Sequence, residues 1–371
     1  MGATAEARLM PAPQVEEVVV ALGPRSYPVL VGEQLLGVVG PRLAAAGFRG
    51  RCGVVTSERV GRLYGEAACA SLRESGLDPA VVEIPDGEEH KNLAWLAVVY
   101  DRLLAAGIDR RSPVVALGGG VVGDLAGFAA ATLLRGLPLV QVPTTLLAQV
   151  DAGIGGKTGV NHTLGKNLIG VFHQPKFVLA DVATLRTLPR RELVAGLAEV
   201  IKYGVIMDAA LLGEIEGHLD ALLAARSDVL VPVVAACARH KAAVVAADER
   251  EERGGRAVLN FGHTVGHAVE ALTEYRRFLH GEAVAIGMVA AAHVSHALGC
   301  CAADTVARIE RIVGRAGLPT KLPEDITPEA LALGMQADKK RTGGRIRFVA
   351  VEAIGRTRMV ELTPSEIVSR L

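Results

Sequence analysis

The sequence has no excess of charge of either sign, because 40 aspartates and glutamates balance its 40 lysines and arginines among 371 residues. Surfaces that bind nucleic acid carry net positive charge, which neutralises phosphates and releases their counterions. The balance therefore argues against nucleic acid as a partner. Half of the residues are apolar, and a chain of this length is long enough to form two hydrophobic cores.

Cysteines are few, odd in number and without Cys-x-x-Cys spacing. This pattern argues against a disulfide framework and against a metal site built from thiolates. We interpret the cysteines as small buried apolar residues. They are Cys52, Cys69, Cys237, Cys300 and Cys301.

Long apolar runs and targeting signals are also missing. The most apolar stretch, 112–134, is interrupted by Asp124 and by several glycines, which predicts a buried strand, a turn and a packed helix instead of a membrane span. Residues 1–14 have no basic segment followed by an apolar run, so we interpret them as a flexible tail and not as a signal peptide. We expect a cytoplasmic protein without membrane contact.

The predicted secondary structure changes near residue 184. Before this point, short β-rich apolar runs alternate with amphipathic stretches, which predicts a parallel sheet with helices on both faces. The predicted strands are 18–21, 52–56, 80–84, 113–117, 139–142 and 177–180, and helices such as 35–46 and 93–106 lie between them. After it, helical periodicity prevails at 190–203, 209–224, 229–247, 264–272, 282–298 and 305–316, followed by a strand at 345–351 and a short helix from Pro364.

These patterns predict an α/β plus α fold. The boundary falls near 184–189, where Thr187 or Leu188 could cap a helix that begins at Pro189. The predicted organisation is a tail at 1–14, an α/β nucleotide-binding domain with a parallel sheet at 15–183, and a mostly α-helical metal- and substrate-binding domain at 184–371.

The most informative stretch contains three histidines within 18 positions. His263 and His267 are four residues apart, so on a helix both imidazoles could reach one ion, and His280 follows. Glycines beside them weaken the alternative that they are packed core histidines. Three protein ligands and an open position are typical of a catalytic metal ion, although this spacing also fits metal hydrolases of the His-x-x-x-His kind.

A glycine-rich turn connects a predicted strand to a predicted helix. Gly118, Gly120 and Gly123 fit Gly-x-Gly-x-x-Gly in the context where backbone amides approach a pyrophosphate. The acidic residue that usually follows about 20 positions later, and holds the ribose, is missing. A standard Rossmann domain is therefore not predicted, and the polar segment 86–91, after another strand, could supply the missing contacts. A tight turn without a ligand is the alternative.

Residues 142–167 combine Asp151, Lys157, Lys166 and Asn167 with several glycines. Glycines let the backbone approach a small ligand, and lysines donate to phosphate or carboxylate. We therefore predict a ligand-binding loop, with a solvated surface loop as the alternative.

Glu199 and Lys202 lie three residues apart on one face of a predicted helix. Glu199 is the candidate for a further metal ligand and Lys202 for an anion contact. The alternative is a surface ion pair of little energetic weight.

Taken in order, these motifs closely resemble the 3-dehydroquinate synthase family of sugar phosphate cyclases, from about residue 86 to residue 288. The resemblance rests on Gly-Gly-Gly-Val-Val-Gly-Asp (118–124), Gln-Val-Pro-Thr-Thr-Leu-Leu-Ala-Gln-Val-Asp (141–151), Gly-Gly-Lys-Thr-Gly-Val-Asn-His (155–162), Gly-Lys-Asn (165–167), Glu-Val-Ile-Lys (199–202), Leu-Asn-Phe-Gly-His-Thr-Val-Gly-His (259–267) and Leu-His-Gly-Glu (279–282). It implies an N-terminal nucleotide-binding domain, a helical C-terminal domain, a homodimer, NAD, and one divalent metal ion, Zn²⁺ or Co²⁺.

The resemblance also implies roles for individual residues. The metal ligands would be Glu199, His263 and His280, so that His267 faces the substrate phosphate and not the metal. NAD contacts would come from Asp86, Gly87, Glu88, Glu89, His90, Lys91, Gly120, Val121, Val122, Gly123, Asp124, Thr144, Thr145, Lys157, Lys166, Thr184, Leu185, Arg186 and Thr187. Substrate contacts would come from Asp151, Lys157, Asn167, Lys202, Arg256, Asn260 and His267, with Arg135 reaching in from a partner subunit. Either Glu251 or Glu252 would stand beside Arg256, and Lys339 or Lys340 near the phosphate.

The implied reaction converts 3-deoxy-D-arabino-heptulosonate 7-phosphate to 3-dehydroquinate and phosphate, in the shikimate pathway to aromatic amino acids. NAD would oxidise the C5 hydroxyl transiently, phosphate would be eliminated, NADH would return the hydride, and an intramolecular aldol step would close the ring. The enzyme would be a carbon–oxygen lyase. The alternatives are another sugar phosphate cyclase, a metal-dependent polyol or alcohol dehydrogenase, and an inactive scaffold, although a scaffold would be expected to have lost one of the three metal ligands.

Overall fold

A computed structural model describes residues 15–337 and 344–371, so the predicted tail at 1–14 and the pair Lys339 and Lys340 lie outside the described residues. The strands are β1 (Glu16–Val20), β2 (Tyr27–Gly32), β3 (Gly50–Ser57), β4 (Leu77–Ile84), β5 (Val114–Gly118), β6 (Leu139–Pro143), β7 (Lys157–His162), β8 (Gly165–Phe172), β9 (Val178–Asp181), β10 (Ile346–Ala353) and β11 (Arg356–Leu362). The helices are α1 (Val39–Ala45), α2 (Glu58–Val60), α3 (Glu66–Glu74), α4 (Leu93–Ala105), α5 (Gly120–Thr132), α6 (Arg190–Met207), α7 (Ala209–Leu223), α8 (Ser227–Ala247), α9 (His263–Leu272), α10 (His280–Ala297), α11 (Ala303–Arg315), α12 (Pro328–Ala337) and α13 (Pro364–Val368).

The N-terminal half forms a seven-stranded sheet in the order β1-β2-β9-β6-β5-β3-β4. All neighbouring strands are parallel except β1, which pairs with β2 in antiparallel fashion. Apolar side chains of the central strands are buried on both faces, as in β5, where every residue is buried. The predicted α/β plus α fold is confirmed, and each of the six predicted N-terminal strands is present.

The strand order creates a switch point between β3 and β5. The chain runs from β3 outward to β4 and then returns to β5 on the other side of β3. In open parallel sheets, ligands bind beyond the carboxyl ends of the strands near such a point. The segments that follow β4, β5, β6 and β9 all leave the sheet at this edge.

We predicted a loop at 142–167, and this prediction is wrong for the second part of the segment. That part forms the antiparallel hairpin β7–β8. The glycines that suggested a loop instead allow the two strands to approach closely. A Cβ added to Gly159 would lie 2.5 Å from the carbonyl oxygen of Ile169. Glycine in this hairpin therefore indicates tight backbone contact and not an irregular chain.

The helical half packs directly against the edge of the sheet. Val18 and Val20 of β1 and Val29 of β2 are buried in the same apolar cluster as residues of α8, including Val234 and Ala238. Between the halves, Pro189 is extended and precedes α6, which begins at Arg190, so the predicted capping by Thr187 or Leu188 is wrong. One apolar core thus crosses the predicted boundary at 183/184.

Among the described residues, only α8 is long and apolar enough to cross a membrane, with a mean hydropathy of 1.6 in its most apolar window. Within the protein, 56% of that window is buried. The stretch 112–134 contains β5 and α5, as predicted. Cys52, Cys69, Cys237 and Cys301 are buried and free, whereas Cys300 is partly exposed.

Candidate active site

Glu199, His263 and His280 come together from α6, α9 and α10. Their ligand atoms lie within 4.8 Å of one another. Glu199 is completely buried, and its Oε1 lies 3.6 Å from His263 Nε2 and 3.8 Å from His280 Nε2. These distances are too long for hydrogen bonds, and neither carboxylate oxygen has a hydrogen-bond partner among the described residues. Lys202 forms an ion pair with Glu199 Oε2, whereas Oε1 faces the two imidazoles. One carboxylate oxygen and two imidazole nitrogens directed at one point form a donor set that fits a divalent cation.

The other ring nitrogen of each histidine faces an acceptor. His263 Nδ1 lies 3.1 Å from the carbonyl oxygen of Phe261, and His280 Nδ1 lies 3.2 Å from Glu270 Oε2. Both acceptors favour a proton on Nδ1, which leaves the lone pair of Nε2 available to an ion.

The start of α9 explains how His263 reaches this position. Gly262 has φ 80° and directly precedes the helix. A Cβ at Gly262 would lie 2.7 Å from Met288 Cγ and 2.8 Å from the carbonyl oxygen of Val284, both in α10. The glycine beside the histidine therefore permits the close packing of α9 on α10 that brings His263 and His280 together.

His267 belongs to the same histidine cluster but not to the group around Glu199. Its ring centroid lies 5.3 Å from that of His263 and 6.0 Å from that of His280. Its ligand atom groups instead with those of Glu270 and His280. His267 therefore lies outside the group around Glu199, and its contact with the substrate phosphate, which the family resemblance implies, stays a prediction.

Metal affinity is expected to fall on acidification, because both Nε2 atoms must be unprotonated to bind an ion. The fall should involve one proton and not two, because the two histidines have different pKa values. Burial holds the pKa of His263 well below its ordinary value. Burial would also lower the pKa of His280, but its hydrogen bond to Glu270 outweighs burial and raises that pKa. As pH falls, His280 is therefore protonated first. Measured by chelator competition, log affinity for Co²⁺ should fall with a slope of about one per pH unit below the His280 pKa, and a two-proton slope would contradict this.

Asp151 is held as a charged acceptor by buried cations. Its Oδ1 accepts hydrogen bonds from Lys241 Nζ at 2.5 Å and from the Tyr203 hydroxyl at 3.2 Å. Burial alone would raise the pKa of Asp151, but Lys241 and Lys202 hold it well below its usual range. Lys202 is itself buried and forms an ion pair with Glu199.

Lys241 was missed in the sequence analysis, although α8 contains a signal for it. Buried positions recur at Leu230, Val234 and Val245 along this helix, and Lys241 falls on the same stripe. A lysine on the buried face of an apolar helix needs a charged partner. The periodicity of α8 could therefore have indicated this residue.

Arg256 is buried within the turn Gly255–Asn260 and is only 2% exposed. Its Nη1 donates to the carbonyl oxygen of Glu249 at 2.9 Å, whereas Nε and Nη2 have no hydrogen-bond partner among the described residues. Glu251 Oε1 lies 3.8 Å from Arg256 Nε and accepts from Lys157 Nζ at 2.6 Å. Glu251, and not Glu252, therefore stands beside Arg256. Two unused buried donors fit an anionic ligand.

The predicted NAD segments lie at the carboxyl edge of the sheet. Asp86 to Lys91 follow β4, the glycine turn follows β5, Thr144 and Thr145 follow β6, and residues 184–187 follow β9. Gly119 precedes α5 without a side-chain cap, so the first amides of that helix are open to an anion. The hydroxyl of Thr144 is buried without a hydrogen-bond partner among the described residues. These features fit a dinucleotide.

Lys91 connects two other predicted residues, Asp124 and Asn167. It is 4% exposed, and its Nζ donates to Asp124 Oδ2 and to Asn167 Oδ1, each at 2.5 Å. Burial raises the pKa of Asp124, which the Lys91 ammonium opposes. Lys166, which is also predicted to contact NAD, donates to Glu270 Oε1 at 3.1 Å.

No described hydrogen bond or ion pair joins Arg135, Asn260 or Arg186 to the rest of the site. Arg135 is exposed in a turn where it has φ 69°. Asn260 is exposed at the end of its turn. Arg186 pairs with Glu33 and donates to the Ser227 hydroxyl at 3.0 Å.

Comparison with known proteins assigns the family. The family model for the 3-dehydroquinate synthase N-terminal part matches residues 81–195, and the model for its C-terminal part matches residues 196–341. The chain belongs to the 3-dehydroquinate synthase family. A 3-dehydroquinate synthase of Pelobacter propionicus is 52% identical over 350 residues, which cover 94% of this chain and 97% of that protein.

Solved structures outside the 3-dehydroquinate synthase family proper share the fold. A 2-epi-5-epi-valiolone synthase from Streptomyces hygroscopicus, with NAD⁺ and Zn²⁺ bound, is 31% identical with a TM-score of 0.85 and covers 93% of this chain and 95% of its own. A 2-deoxy-scyllo-inosose synthase complexed with carbaglucose-6-phosphate, NAD⁺ and Co²⁺ is 26% identical with a TM-score of 0.86 and covers 96% of this chain and 98% of its own. Relatives of the 3-dehydroquinate synthase family therefore bind both predicted cofactors.

Proposed function

We propose that this chain is a 3-dehydroquinate synthase, which converts 3-deoxy-D-arabino-heptulosonate 7-phosphate to 3-dehydroquinate and phosphate with NAD and one divalent metal ion. One observation carries the proposal beyond family membership. The residues that would hold the metal ion lie in a site that also contains Arg256, buried with two unused donors, and the cations Lys157, Lys202 and Lys241. A polyol dehydrogenase needs the metal group but has no use for so many anion-binding side chains.

Glu199, His263 and His280 would hold the metal ion. When bound, the ion supplies Lewis-acid polarisation to a hydroxyl or carbonyl oxygen of the substrate. Because Glu270 and the Phe261 carbonyl already orient the two imidazoles, little reorganisation is needed for them to bind the ion.

The carboxyl edge of the sheet would hold NAD. NAD supplies reversible acceptance of a hydride, so that no net oxidation occurs over a full cycle. The uncapped amides of α5 would bind its pyrophosphate, and the Thr144 hydroxyl and the segment 86–91 would contact its remaining polar groups.

The remaining residues would bind and orient the substrate. Arg256 would donate to the substrate carboxylate through its two unused nitrogens, with Lys157 beside it. Lys202 and His267 would hold the phosphate. Asp151, kept ionised by Lys241, can accept a hydrogen bond or a proton from a substrate hydroxyl. Most of the catalytic contribution is therefore orientation and preorganised charge.

The test is phosphate release from the heptulosonate phosphate with substoichiometric NAD and added Zn²⁺ or Co²⁺, while NADH absorbance is followed. Many phosphates per NAD without accumulation of NADH support the proposal. Steady NADH from simple polyols, without phosphate release, would favour the dehydrogenase alternative. Turnover of a sugar phosphate that has no carboxylate, in preference to the heptulosonate, would favour another cyclase.

We further propose that the enzyme is a cytoplasmic, phosphate-eliminating lyase that works as a homodimer, with Arg135 acting on the partner's site. The exposure of Arg135 and its lack of described contacts to its own site support action in trans. Arg135→Ala and Glu199→Ala should each be nearly inactive alone. When equal amounts are mixed, unfolded and refolded together, about half of the dimers contain one subunit of each kind, and each mixed dimer has one complete site out of two. The mixture should therefore recover about one quarter of wild-type activity. Recovery no greater than the sum of the two unmixed variants would contradict action in trans.

A further inference from the structure

Glu270 is a buried carboxylate, and each of its two oxygens has a different partner. It is only 2% exposed. Its Oε2 lies 3.2 Å from His280 Nδ1, and its Oε1 lies 3.1 Å from Lys166 Nζ. Nothing in the proposed function so far uses the second of these contacts.

The two partners belong to different parts of the fold. Glu270 lies on α9, His280 is the first residue of α10, and Lys166 lies on β8 of the hairpin. The Lys166 ammonium is also 4.4 Å from the centre of the Tyr275 ring, just beyond α9. The carboxylate therefore joins the hairpin of the N-terminal half to the helix that begins with a proposed metal ligand.

We infer that Glu270 is a positioning residue, which fixes the orientation of His280 for metal binding and is itself held in place by Lys166. This inference rests on the proposed function, because it requires His280 to be a metal ligand. The geometry carries it: a carboxylate aimed at Nδ1 retains the proton there and turns Nε2 towards Glu199. Without Lys166, Oε1 would be buried without its ionic partner, and the carboxylate could rotate away from His280.

The chemical consequence is stronger metal binding before any substrate arrives. A carboxylate that accepts the Nδ1 proton increases the basicity of the imidazole, and loss of such a partner typically costs 10- to 100-fold in metal affinity. Because Lys166 acts only through Glu270, its effect on the metal should vanish once Glu270 is removed.

The experiment measures Co²⁺ affinity of the full-length protein by chelator competition, without NAD or substrate. Glu270→Ala should weaken Co²⁺ binding by about 10- to 100-fold and change the visible absorption bands of the bound ion. Glu270→Gln, which keeps an oxygen acceptor for His280 but loses the charge, should lie between Glu270→Ala and wild type. The matched control is Glu274→Gln, an exposed carboxylate four residues further along, which should change neither quantity. Thermal melting of each variant identifies those that fail to fold.

Lys166→Met should also weaken Co²⁺ binding, and combining it with Glu270→Ala should cause no loss beyond that of Glu270→Ala alone. Full additivity, or a folded Glu270→Ala with unchanged affinity and spectrum, would overturn the inference while leaving the proposed function intact. Binding of two Co²⁺ ions by wild type and one by Glu270→Ala would make Glu270 a ligand and would also overturn it. If wild type binds no Co²⁺ or Zn²⁺ and releases no phosphate, the proposed function itself fails.

Discussion

Replacing Glu199 with alanine is expected to abolish stoichiometric metal binding and to lower kcat/KM by about 10³-fold or more. The reason is that Lewis-acid stabilisation by a metal ion contributes several kcal/mol, and each 1.4 kcal/mol corresponds to about tenfold in rate. Glu199 supplies the one anionic donor of its group, so its loss affects both the charge and the number of ligands. Metal content after dialysis and the rate of phosphate release are the two measurements.

A second substitution at Glu199 is needed to separate loss of the metal from unfolding, because Glu199 also pairs with the buried Lys202. Removing one partner of a buried ion pair costs about 3–5 kcal/mol, so Glu199→Ala could lose activity through unfolding. Glu199→Gln keeps the shape and one oxygen, and its melting temperature separates the two causes. Glu192→Gln, at an exposed position on the same helix, is the control. Full activity of a folded Glu199 variant after treatment with a chelator would contradict the metal assignment.

Replacing Arg256 with alanine is expected to lower kcat/KM for the heptulosonate phosphate by about 10²- to 10³-fold, mainly through KM. Loss of a charged donor to a buried carboxylate costs about 2–5 kcal/mol. NAD affinity should be nearly unchanged, because no described contact joins Arg256 to the NAD segments. Arg256→Lys should recover only part of the loss, since lysine keeps the charge but not the two parallel donors.

A different substitution of Arg256 makes a prediction for stability. Two buried nitrogens of Arg256 have no hydrogen-bond partner among the described residues, so an apolar residue of similar length, as in Arg256→Met, should not lower the melting temperature of the ligand-free protein. The exposed Arg253 in the same segment provides the control as Arg253→Met. Equal effects of Arg256→Ala on NAD and on substrate would contradict a carboxylate-binding role.

The sequence specified the architecture well because its signals are local. Continuous apolar runs bounded by glycine and proline predict buried parallel strands, and β5 and β6 are found where those runs occur. Lys157 to Phe172 was harder, because Gly159 and its neighbours look the same in a loop and in a closely paired hairpin. β2 was not predicted either, although four of its six residues are apolar or aromatic, because Pro28 interrupts the run.

The candidate site was less predictable because its contacts are distant in sequence. The His263 and His267 spacing suggested a metal ion, but which histidine faces Glu199 depends on how α9 packs against α10, and only the family resemblance suggested the right grouping. The periodicity of α8 marks Lys241 as buried, but a single charged residue on a helix gives no indication of its partner, so the contacts of Lys241 with Asp151 and of Glu270 with His280 were not predicted. The roles of the individual residues stay predictions until the variants above are measured.

The apolar cluster shared by β1, β2 and α8 limits how the molecule can open and close around its ligands. A wide hinge opening between the sheet and the helices would expose Val18, Val20 and Val29 to water, at a cost of about 1.5–3 kcal/mol for each side chain. Closure must therefore consist of small sliding of packed elements, or of movement in segments outside that cluster, such as the β7–β8 hairpin. The hairpin carries Lys157, Lys166 and Asn167, so a shift of this one ribbon would move the partners of Glu251, Glu270 and Lys91 at the same time.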